Sequence, residues 1–224
     1  MSSESQSLLE LQQIRSIMER SSRFISLSGF SGIAAGTCAL VGAAVAMPYV
    51  HSGQARQLYA PGRTPYGPRG LQSQGWWGTV VESELFQIAL ATFVAAFLSA
   101  FLFTWLKSKR QGIAIWGPAS YRLMANVTIP MVAGGVFCLK LMETGNFGLL
   151  APTTLIFYGL ALLNASKYTF PEIRYLGLAM MVLGFINCWN TGYGIYFWAF
   201  GFGVLHICYG AYMWYAYERK GTTV

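Results

Sequence analysis

The side chains of this chain with the means for chemistry are few and lie far apart. Lys140 and Glu143 stand one helical turn from each other near the end of one apolar stretch. Asn187 and Asn190 close a second, and His206 sits between Leu205 and Ile207 in a third. An ionisable group inside a membrane-crossing helix costs about 2.5–3.5 kcal/mol at mid-bilayer on insertion scales, so each is a functional candidate by default. Together the five would suit a small solute or proton site. Each also has a plainer reading. Lys140 and Glu143 neutralise each other across one turn, and at ~24 Å along a helix counted from Met124 both reach the exterior surface by snorkelling. His206 is a neutral hydrogen-bonding partner or a proton relay. Asn187 and Asn190, with Asn164, are interhelical hydrogen-bonders or helix-end caps.

Enzyme chemistry finds no parts. There is no GxSxG, no HExxH, no glycine-rich phosphate loop and no pair of intramembrane aspartates. The two histidines, His51 and His206, fall at different depths, which argues against a bis-histidine haem. Cys38, Cys138, Cys188 and Cys208 all lie in apolar runs without CxxC spacing, so buried free thiols are expected in place of a metal or disulfide framework. The sequence therefore predicts no catalytic residue, no cofactor and no metal.

The elements that carry these groups are membrane spans. Of 224 residues, 54% are hydrophobic and 10% charged, where a soluble domain has about a quarter charged. Six apolar segments stand out, at about 24–47, 85–106, 124–142, 149–165, 173–190 and 193–215. An even number puts both termini on one side. Most Lys and Arg fall on that side, against Arg56, Arg63 and Arg69 on the other, so the termini are expected to be cytoplasmic. The net charge of +7 is thus a topology signal spread over short segments, which excludes a nucleic-acid site. The predicted fold is all-α: a polytopic bundle over 24–224, six transmembrane helices as three hairpins, in a bacterial inner membrane.

The first span is built of small residues. Ser28, Gly32 and Gly36 form one small-xxx-small ridge, and Ala35, Ala39 and Ala43 a second. In lipid, close van der Waals contact replaces the missing hydrophobic drive, so such a helix belongs inside a bundle. Residues 1–23 form a cytoplasmic amphipathic helical segment, striped by Leu11, Ile14 and Met18, that lies in the headgroup layer or meets a partner. Residues 48–84 make an exterior loop with four prolines and six glycines, seated at the interface by Trp76 and Trp77. In the last span Gly194/Gly201 and Gly203/Gly210 recur at seven-residue spacing as close-approach points.

Hairpin spacing repeats. Arg122 and Lys167 bracket the third and fourth spans, Arg174 and Arg219 the fifth and sixth, 45 residues apart in both cases. Tyr158-Gly159 recurs as Tyr209-Gly210. The string ERSSRFISLSG at Glu19–Gly29, with Ile14-Arg15-Ser16-Ile17-Met18 before it, resembles a group of uncharacterised small integral membrane proteins of Bacteroidota-type bacteria. The likeness covers about the first 45 residues and implies a membrane protein without implying an activity. The three-hairpin plan resembles, in layout alone, the acid-resistance membrane protein family HdeD.

Two functions are compatible with these residues. The first is a non-enzymatic inner-membrane protein that binds a membrane or cytoplasmic protein partner through residues 6–23, or assembles into a complex that includes the homo-oligomer. The alternative is a small solute or proton transporter or channel using Lys140, Glu143, Asn187, Asn190 and His206.

Overall fold

The computed structural model describes residues 28–51, 81–112 and 116–219. The striped segment with Leu11, Ile14 and Met18, and most of the loop 48–84, lie outside the described residues. Within them the chain is helical, with no strand. The helices are α1 (Gly29–His51), α2 (Glu84–Gln111), α3 (Pro118–Glu143), α4 (Leu150–Ala165, entered through a 3-10 turn), α5 (Ile173–Trp189) and α6 (Thr191–Glu218). Five are long and apolar enough to cross a membrane: α1, α2, α3, α4 with its entry turn, and α6. Helix α5 is apolar but only 17 residues long, about 26 Å.

Local chemistry sets the helix ends. Pro118 opens α3 at its first turn, where its missing N–H is not needed. Ser83 caps α2, its hydroxyl accepting from the Phe86 N–H at 3.3 Å. At the other end of α2 the polar run Lys107–Arg110 stays helical until Gly112, whose φ of 64° gives a left-handed cap. That is why α2 outlasts its apolar stretch. Helix α1 likewise continues through Pro48 to His51, past the expected start of the exterior loop. Proline loses only its own backbone bond there, and the His51 ring returns to the Met47 carbonyl at 2.8 Å.

Helix α1 packs lengthwise on α2 on one side and on α6 on the other. Helix α4 packs on α3, α5 and α6, and α5 leans chiefly on α4. Helices α2 and α3, consecutive in sequence, are the outer members: none of the apolar window of α2 is buried. The core is Leu155, Leu176 and Met180, flanked by Tyr158, Phe202, Leu205 and Tyr209.

Close approach is concentrated at glycines. A Cβ on Gly210 would lie 2.5 Å from the Gly29 carbonyl and 2.6 Å from the Ile33 nitrogen. One on Gly36 would lie 2.7 Å from the Gly203 carbonyl. The α1–α6 seam is therefore backbone on backbone, with the Ser28/Gly32/Gly36 side of α1 facing Gly203 and Gly210. Ala39 and Ala43 are buried at 4% and 3% exposure, and Ala35 is half-buried. The cysteines are free; Cys208 is exposed and the other three half-buried. The expectation of buried thiols is corrected, since none of the four is fully buried; Cys38 lies in the α1–α2 contact, 3.8 Å from Ser99 Oγ.

The helix ends define two poles. Gly29, Lys107 and Glu218 meet at one, the basic end, where the Glu172–Tyr217 hydrogen bond also brings the start of α5; His51, Glu143, Trp189 and Thr191 end or begin their helices at the opposite end.

Candidate functional site

Helix α6 supplies most of the buried polar chemistry. It is not a uniform α-helix: Ala199–Leu205 and Trp214–Glu218 are wound as π-helix. The first π stretch contains Gly201 and Gly203, both buried. Gly201 sits where a Cβ would strike Leu155 at 2.6 Å and the Met180 sulfur at 3.0 Å. Such bulges are often found at functional sites. Here the bulge leaves the Gly201 carbonyl within reach of the side chain five residues on, and His206 Nδ1 lies 3.0 Å from it.

His206 is 6% exposed and is the sixteenth of the 28 residues of its helix. A carbonyl only accepts, so Nδ1 carries the hydrogen. In the neutral ring Nε2 is then an acceptor, and the Tyr158 hydroxyl of α4 donates to it at 2.9 Å. Phe202 closes the other side, its ring stacked on the imidazole at 5.9 Å and 15°. Trp198 lies beyond it at 4.9 Å from Phe202. Both ring nitrogens are satisfied, and the site is aromatic.

The other sequence candidates stand elsewhere. Lys140 Nζ donates to Glu143 Oε2 at 2.9 Å, with side chains 64% and 44% exposed; the pair faces outward at the opposite end. Asn187 is fully buried, its Nδ2 donating to the Asn190 carbonyl at 2.9 Å. Asn190 Nδ2 donates back to the Ile186 carbonyl at 2.9 Å. These two finish α5 and bond within it. Lys140 and Glu143, Asn187 and Asn190, and His206 thus form three separate groups whose hydrogen bonds do not join them. Leu11, Ile14 and Met18 lie outside the described residues.

A second polar cluster, at the basic end, escaped the sequence reading. Glu218 Oε1 accepts the Gly29 N–H at 2.8 Å and meets Lys107 Nζ at 3.1 Å. Lys107 lies over the Phe170 ring at 6.0 Å, and Phe170 packs on Tyr217 at 4.8 Å. The Tyr217 hydroxyl donates to Glu172 Oε1 at 2.6 Å. The start of α1, the end of α2, the start of α5 and the end of α6 are tied together there. An acid just before α5 and another at the last turn of α6 were the available signals, though nothing in sequence pairs them with Lys107 or Tyr217.

No family model, curated protein or solved structure matches the chain. Helices of this length and apolarity define the class as an integral membrane protein of the helical kind.

Proposed function

We propose that this is a six-span inner-membrane protein of bacterial type, both termini cytoplasmic, that works without catalysis by binding a partner or assembling into a membrane complex. The observation that carries the assembly reading is the isolation of α2. It packs along α1 and turns a ladder of Phe93, Phe97 and Phe101 outward, with ring centroids 6.4 and 6.5 Å apart. The rings are 45–61% exposed. A stiff aromatic face on a helix with one long neighbour suits a further helix as well as it suits lipid. The striped segment 6–23, with Leu11, Ile14 and Met18, is the second proposed contact. Basic residues gathered at the Gly29/Glu218 end support the cytoplasmic assignment of that end.

The transport alternative would need Lys140, Glu143, Asn187, Asn190 and His206 to share a path. Their separation into three groups whose hydrogen bonds do not join them weighs against it, although the buried Asn187 Oδ1 has no partner among the described residues.

The test is the mass of the particle extracted from native membranes in mild detergent, measured by light scattering with the detergent subtracted. Full-length protein is expected to carry a stoichiometric second component or a defined oligomer, reduced when residues 1–22 are removed or Phe93, Phe97 and Phe101 are changed to Leu together. A monomer in all samples would overturn the proposal.

A further inference from the structure

On α6, His206, Tyr209, Met213 and Tyr217 follow one another at three- and four-residue steps. That spacing sets them on one face running from mid-span to the basic end. Tyr209 packs with Tyr158 on the core cluster of Leu155, Leu176 and Met180. Glu172 stands one turn before Leu176 on the chain, just ahead of α5. Two buried polar atoms along this face have no hydrogen-bond partner among the described residues, Tyr209 Oη and Glu172 Oε2. Buried polar atoms are almost always satisfied, by protein or by ordered water, so two orphans beside one face call for a bridge.

We propose that Tyr217, Glu172, Tyr209 and Tyr158, joined by buried water, pass protons between the basic end and His206, and that Phe202 seals His206 from the opposite end. In the neutral state Nδ1–H donates to Gly201 and Nε2 accepts from Tyr158. When a proton arrives, Tyr158 gives its own hydroxyl proton to Nε2 and takes a replacement from the Tyr209 side. Tyr209 is replenished through the water from Glu172, Glu172 from the Tyr217 hydroxyl that donates to it, and Tyr217 from the basic-end surface. The tyrosines finish neutral, and one positive charge is added at His206. The imidazolium keeps Nδ1–H on Gly201 and now donates Nε2–H to Tyr158, so the Tyr158–His206 hydrogen bond reverses direction. Among the described residues no carboxylate or cation faces the ring. The partners of the ring are Tyr158 from α4 and Phe202 and the Gly201 carbonyl from α6 itself; α1 meets the His206 backbone, through Gly32, and Met180 of α5 lies against Gly201. The titratable groups on the route are therefore those of the tyrosine and glutamate face. The proposal does not depend on the assembly reading.

The chain has two histidines, so His51→Gln leaves His206 as the only imidazole to observe. The full-length protein, labelled with nitrogen-15 histidine in phosphatidylcholine nanodiscs, is brought to a pH at which part of His206 is protonated, and the rate of proton exchange between the neutral and protonated ring is read from the Nε2 line shape. Tyr209→Phe and Glu172→Gln are each expected to slow the exchange about tenfold or more, the scale of a positioned proton-transfer group. Phe202→Ala is expected to restore fast exchange in the Tyr209→Phe background by opening the sealed side. Unchanged exchange in both single variants, with folding confirmed from backbone amide spectra, would overturn the proposal. So would acceleration by Phe202→Ala without any slowing by Tyr209→Phe, because access would then run from the opposite end.

Discussion

Glu218 accepts the backbone N–H of Gly29 across 189 residues of sequence, joining the first turn of α1 to the last turn of α6. The same oxygen meets Lys107 from α2. Helix N-termini leave N–H groups without intrahelical partners, and a carboxylate also suits the positive end of the helix dipole. Replacing Glu218 with Ala removes both contacts from side chains 14% and 18% exposed. The expected loss is about 1.5–3 kcal/mol, the range for hydrogen bonds to charged groups. Thermal unfolding of purified full-length protein in detergent checks it, and Glu218→Gln, which keeps an acceptor for Gly29, should lose less.

Gly210 and Gly135 make a matched pair. The three atoms nearest a Cβ at Gly210 are all α1 backbone, at 2.5–3.0 Å. Gly210→Ala should force α1 and α6 apart, with an overpacking cost of about 1–3 kcal/mol. At Gly135 a Cβ meets nothing within 4 Å. Gly135→Ala should be neutral or stabilising by up to about 1 kcal/mol through helix propensity. Opposite shifts of the two unfolding midpoints are the expected result.

Tyr158→Phe removes the hydroxyl that His206 Nε2 accepts from and leaves that nitrogen buried without a donor. An unsatisfied buried acceptor costs about 1–3 kcal/mol, and the variant's unfolding midpoint should fall accordingly. In a Tyr158→Phe, His206→Phe double variant the orphan is gone, so stability should recover in part. A simple sum of two losses would mean that the pair carries no coupling.

Lys140 and Glu143 are exposed and bond only to each other. Exposed ion pairs contribute about 0–1 kcal/mol, so Lys140→Gln with Glu143→Gln should leave the unfolding midpoint close to that of the parent. A large loss would mean that the pair is buried in the working assembly.

The helical class, the apolar runs and the small-residue character of α1 are legible because each is local composition or spacing. The glycines of α6 at seven-residue steps are visible too. What the sequence does not contain is which glycine meets which: Gly210 faces Gly29 and Gly32 only once six helices are arranged. The same limit hid the basic-end cluster. Lys107 reads as a topology charge and Glu218 as a solvated terminal acid until the ends of α2 and α6 are side by side. Tyr158 is visible as half of a repeated Tyr-Gly pair, yet its link to His206 depends on a π-helical winding that Gly201 and Gly203 permit without signalling it. The end of α5 is the least legible point, because Asn187 and Asn190 bond within the helix and close it after 17 residues.

Whether α5 crosses the membrane decides the parity of the chain and with it the six-span account. The measurement is a pair of reporter fusions at each terminus in a bacterial host. One reporter is a fluorescent protein that folds only in the cytoplasm, and the other a phosphatase active only outside it. Fluorescence and no phosphatase activity are expected at both ends. Reporters on opposite sides would mean five crossings, with α5 held within one leaflet, and would contradict the six-span account.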